Sequence, residues 1–119
     1  MEALQVHISQ HGRTTVLTLA GPLTAKHVAA LRRASFEAEG QNCGHCVLDL
    51  TDVDEIDGYG MSTLVGILAR RGSQQGKVAL FGVRPDLRAR FEATFCDTLF
   101  PLRSTFAAAL QMVGEDGAS

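Results

Sequence analysis

Val47-Leu48-Asp49-Leu50-Thr51-Asp52-Val53-Asp54-Glu55-Ile56-Asp57-Gly58-Tyr59-Gly60-Met61-Ser62-Thr63-Leu64 is the stretch on which the fold turns. Cys46 to Leu50 is a short apolar run bounded by polar residues, the pattern of a central strand covered on both faces. Thr51 to Gly60 reads as an acidic loop with Asp52, Asp54, Glu55 and Asp57. Met61, Leu64, Val65 and Leu68 then recur at i, i+3, i+4 and i+7, which predicts an amphipathic helix. Arg70, Arg71 and Gly72 suit its C-terminus, through the dipole and a glycine cap. A buried strand running into a helix is the half-unit of an α/β layer.

The same alternation extends both ways. Upstream, Leu4, Val6 and Ile8 alternate with polar residues, and Gly12 turns the chain toward Val16, Leu17, Leu19 and Ala20. The short gap predicts an antiparallel hairpin. After Gly21-Pro22, Thr24 is the expected cap of a helix carrying Val28, Leu31, Ser35 and Ala38, with Gly40 closing it. Phe36 has no place on that face. Downstream, Val78 to Val83 predicts a second buried strand, and Pro85 opens a helix with Leu87, Phe91 and Phe95. Leu99 to Leu102 suits a short edge strand because Pro101 limits pairing. Ser104 is the expected cap of a last helix with Phe106, Ala109, Leu110 and Val113. The predicted class is α/β, with a mostly parallel central sheet in the order β-β-α-β-α-β-α-(β)-α. It forms one domain over residues 1–119, with its core at about 4–113 and a frayed tail at 114–119.

Composition narrows the function. The chain has 119 residues, 45% hydrophobic and 20% charged, and a formal net charge of −2. That lacks the basic excess of a typical nucleic-acid binder. No run of about 20 apolar residues exists to span a membrane. The Met1 start has no basic segment of a signal peptide. Three cysteines, Cys43, Cys46 and Cys96, beside an ample aliphatic core fit a reducing cytoplasm. Cys43-Gly44-His45-Cys46 has the letters of a dithiol redox site. Its context is inverted, because a strand follows it where a thiol-activating helix is needed. His7, His11, His27 and His45 form no ligand pair, and the acidic stretch lacks the glycine and distal Glu of a calcium loop. No nucleophile elbow or phosphate loop is present. The expectation is a protein with no catalytic residue, metal or cofactor.

The quoted stretch, followed by Gly76-Lys77-Val78-Ala79-Leu80-Phe81-Gly82-Val83, Pro85-Asp86-Leu87-Arg88, Leu99-Phe100-Pro101-Leu102 and Ser104 to Leu110, resembles the STAS domains. These are the bacterial anti-sigma factor antagonists and the cytoplasmic domains of sulfate transporters. The resemblance covers nearly the whole chain, from about Leu4 to Val113. It implies a transcription regulator that binds an anti-sigma factor which is also a serine kinase. The kinase switches such antagonists off by phosphorylating the third residue of an Asp-Ser-Ser-Gly or Asp-Ser-Thr-Gly motif. A phosphate there meets helix N–H groups and adds about −1.5 to −2 charge to the contact surface.

Here the motif reads Asp57-Gly58-Tyr59-Gly60, so both hydroxyl residues are replaced. Thr24 also stands where the family often has an Asp. The resemblance therefore implies a partner-binding or regulatory loop of Thr24, Asp57, Gly58, Tyr59, Gly60, Met61 and Ser62, with the usual phosphorylation site lost. Ser62 and Thr63 lie nearby. Tyr59 either packs its ring over the loop or stands exposed at the centre of the binding face, where Tyr is a favoured hot-spot residue. The alternative role is a structural STAS subunit of a lipid-transport ABC complex, whose partner is the transporter ATPase, or a signalling scaffold.

Overall fold

The computed structural model describes residues 3–41, 45–73, 76–94, 102–103 and 105–114. Alternation of Val6 and Ile8 with polar neighbours builds β1 (Gln5–His11), and Gly12 in the left-handed region turns it back onto β2 (Thr14–Leu23). The two strands pair antiparallel, from Gln5 opposite Ala20 to His11 opposite Thr14. Then α1 (Val28–Gln41), β3 (His45–Ile56), α2 (Gly58–Ser73), β4 (Val78–Phe81), α3 (Pro85–Thr94), β5 (Leu102–Arg103) and α4 (Phe106–Met112) follow. The sheet order is β1-β2-β3-β4-β5, parallel from β2 onward. This is the predicted element order.

Each parallel join adds a strand on the same side of the last. Right-handed crossovers therefore stack α1, α2 and α3 on one face of the sheet. The main core lies there: Leu17, Leu19, Leu48 and Leu50 of the sheet meet Leu31 of α1, Leu64 and Ile67 of α2, and Phe91 of α3. Fully burying each such side chain contributes roughly 1.5–3 kcal/mol. α4 follows the last strand and covers the opposite face, where Ala109 and Val113 pack on Val16, Val47 and Ala79.

Several local expectations are corrected. The acidic segment is not a loop: β3 continues to Ile56. Two register shifts against β2 break the period-2 pattern. Val53 and Ile56 consequently point into the core three residues apart, while Asp52, Asp54 and Glu55 project outward. The buried face of α2 is Met61, Leu64 and Ile67, and Val65 is exposed instead. Gly40 and Gly72 lie inside α1 and α2, not after them. β4 ends at Phe81, before Gly82 and Val83. Thr105 caps α4, its Oγ1 accepting the Ala108 N–H at 3.1 Å. Cys43, Phe95, Cys96, Leu99 to Pro101, Ser104 and the tail 115–119 lie outside the described residues.

Candidate functional site

The parallel register sets Leu23 beside Ile56, so β2 and β3 end side by side. Two chain segments therefore leave the sheet together: Thr24-Ala25 toward α1, and Asp57-Gly58 toward α2. The Asp57 N–H donates to the Leu23 carbonyl at 3.3 Å, continuing the ladder past the last paired residues. The Thr24 carbonyl accepts from His27 and Val28 at 2.8 and 3.0 Å, which starts the helical turn before α1.

Asp57 joins the two starts. Its Oδ1 accepts the Gly60 N–H at 2.9 Å, the side-chain cap of α2. Its Oδ2 accepts the Ala25 N–H at 3.0 Å, across from the other segment. These donors hold the carboxyl below its ordinary range, the Gly60 N–H most strongly, against a smaller opposing effect of burial.

Gly60 makes the close approach possible. A Cβ there would lie 2.1 Å from the Leu23 carbonyl oxygen and 3.0 Å from the Ile56 and Leu23 side chains. No side chain fits without moving the end of β2.

The arrangement divides the seven sequence-predicted residues by exposure. Gly58, Tyr59 and Ser62 face solvent, Thr24 and Asp57 are half-buried, and Gly60 and Met61 are buried. Tyr59 is 67% exposed, so most of its ring is open to solvent. Thr63 points inward, and its Oγ1 donates to the Tyr59 carbonyl at 2.8 Å. An open hollow of about 440 Å³ lies between Asp57, Tyr59 and Ser62. A second, of about 450 Å³, is bounded by Pro22, Lys26, His27 and Glu55, and also reaches Asp57. Lys26, His27 and Glu55 enter the site only through the strand register, which leaves no mark on spacing in the sequence. Ala25 contributes a backbone N–H, which no residue type announces.

Of the Cys43-Gly44-His45-Cys46 letters, His45 and Cys46 lie among the described residues. Cys46 is fully buried in β3, and burial pushes its thiol up to about 11, with Arg71 acting weakly in the other direction. The His45 Nδ1 accepts the Lys77 N–H at 3.0 Å, tying β3 to the approach of β4. Among the described residues no three His, Cys, Asp or Glu side chains converge as metal ligands. No described helix is long and apolar enough to cross a membrane.

Known proteins of similar shape follow from this geometry. An anti-sigma factor antagonist from Mycobacterium paratuberculosis superposes with a TM-score of 0.82 at 22% identity, covering 93% of this chain and 94% of that one. An anti-sigma-factor antagonist (STAS) domain protein from Planctomyces limnophilus gives 0.74 at 22%, covering 92% and 97%. The murine solute carrier 26 family member A9 anion transporter gives 0.73 at 12%, covering 88% of this chain and 18% of the transporter. No curated protein matches the sequence. The family model of the STAS domain matches residues 5–109, and this chain belongs to the STAS domain family.

Proposed function

We propose that this protein is a non-enzymatic regulator of the anti-sigma factor antagonist type, acting in the cytoplasm. Its partner is an anti-sigma factor or a related serine kinase. The contact runs over Gly58, Tyr59 and the exposed side of residues 61–68. The observation that carries this reading is Tyr59, 67% exposed at the start of α2 on a backbone clamped by Asp57. A large amphipathic ring held out on a rigid turn offers contact area at little entropic cost on binding.

The same residues support loss of the phosphorylation switch. Gly58 has no hydroxyl, and the Tyr59 phenol oxygen lies several ångströms beyond where a seryl oxygen would be. The Thr63 hydroxyl is turned inward onto the Tyr59 carbonyl. Ser62 is exposed, but it lies deeper in α2.

The test is incubation with ATP and the anti-sigma factor kinases of the same cell, read by intact mass. The expected result is no added phosphate on the native protein and one phosphate on the Gly58→Ser/Tyr59→Ser double variant, where helix N–H groups accommodate it. Phosphate mapped to Tyr59 or to Ser62 in the native protein would end the claim that the switch is lost.

A further inference from the structure

Among the described residues, the large hydrophobic side chains left exposed are Phe36 (54%), Tyr59 (67%) and Val65 (39%), and all three lie on α1 or α2. An open groove of about 170 Å³ runs between these helices, walled by Arg32 and Phe36 of α1 and by Gly66, Ile67 and Arg70 of α2. Its size is close to the ~150 Å³ cavity that holds one benzene ring. The Arg70 guanidinium lies over the Phe36 ring, 4.8 Å from its centre. This contact gives the sequence's misfit Phe36 a fixed position at the groove's edge.

Gly66 keeps the groove open. A Cβ there would meet nothing within 4 Å, so helix packing does not require glycine at this position. Glycine in a helix interior nonetheless disfavours folding relative to Ala. Among the described residues, the charged groups that line it are the two arginines, and Ser35 and Thr63 are its other polar lining residues. Guanidinium groups pair carboxylates in a bidentate geometry. Two helical walls over a base of Ser35, Thr63 and Ile67 suit a helix that presents anchors at i, i+3 and i+4.

We propose that the α1–α2 groove docks an acidic amphipathic helix of a partner protein. One large apolar side chain sits over Gly66 between Phe36 and Ile67, and carboxylates meet Arg32 and Arg70. Gly66 lies about 10 Å along the helix axis from Tyr59. The inference therefore extends the contact face proposed above and rests on it for the identity of the partner, but not for the groove's chemistry.

The experiment is an amide-shift titration of the whole protein by NMR. The probe is a synthetic helical peptide with a leucine stripe and glutamates beside it. Controls are the same peptide with Lys for Glu, the same peptide with Ala for Leu, and dodecanoate. The glutamate–leucine peptide should shift the amides of Arg32, Phe36, Gly66 and Arg70. Gly66→Leu, which fills the groove, and the Arg32→Glu/Arg70→Glu double variant should each weaken binding at least about tenfold, while Arg103→Ala, exposed on β5 and outside the groove, changes it by less than about twofold. Gly66→Leu should melt no lower than the native protein, since a helix former replaces glycine. Equal shifts with the lysine or alanine peptide, no shifts at millimolar peptide, or unchanged binding by Gly66→Leu would overturn the proposal. Shifts by dodecanoate alone would also overturn it, by assigning the groove to lipid. An unchanged kinase affinity in Tyr59→Ala would fail the earlier reading while leaving the peptide result standing.

Discussion

Asp57 connects the two segments of the site through a single carboxylate, and its chemistry is testable by pH. The Gly60 and Ala25 N–H groups bond its charged form, so the folded pKa lies below the unfolded value of about 3.9. A depressed carboxyl contributes stability that is present above the unfolded pKa and lost as pH falls through the folded one. Asp57→Asn keeps an oxygen for one N–H but turns an amide NH₂ toward the other. The loss of one of the two bonds should cost about 0.5–1.5 kcal/mol at neutral pH. The gap between variant and native urea midpoints should narrow as the pH drops below about 3.9. A gap that stays constant with pH would mean the carboxylate's charge is not what matters. Cys46 gives a second residue-scale prediction. Its buried thiol, pushed up to about 11, should resist iodoacetamide at neutral pH in the folded protein and react once urea unfolds it. Alkylation of folded Cys46 at the rate of a free thiol would contradict its place in the core.

At the scale of elements, the decisive contact is the end of β2 against the start of α2. A Cβ at Gly60 would lie 2.1 Å from the Leu23 carbonyl oxygen, which can relieve the clash only by moving the strand end. Gly60→Ala should therefore cost roughly 2–3 kcal/mol in chemical denaturation, whereas Gly58→Ala, with nothing within 4 Å, should not destabilise the fold. Equal effects of the two substitutions would disprove the close approach. The sequence showed that a helix begins near Met61, because Met61, Leu64 and Leu68 keep the helical period. It did not show that Val65 is exposed and Ile67 buried, because both are aliphatic and the choice depends on where α1 sits. The length of β3 was hidden for a different reason. Its two register shifts move Val53 and Ile56 off the alternation, and exposed acids are as common in loops as on the outer side of a strand. The Asp57 cap was legible as a carboxylate near a helix start. Its second bond, to Ala25, was not, since it joins residues brought together only by the β2–β3 register.

Across the whole molecule, the sheet grows in one direction and stacks three helices on one face, which leaves the outer side of α1 and α2 as a continuous surface. Tyr59, Val65 and Phe36 are distributed along it, and the clamp at Asp57 fixes the end that carries Tyr59. With most of the Tyr59 ring open to solvent, its removal should separate binding from stability. The direct measurement is the affinity of native protein and Tyr59→Ala for the anti-sigma factor kinase of the same cell, by calorimetry, with thermal melting of both proteins alongside. The native protein should bind, the variant should bind more weakly by at least about 1–2 kcal/mol, and the two should melt at the same temperature. Equal affinities, no binding by the native protein, or a variant that melts well below it would show that Tyr59 is not a contact residue for this partner.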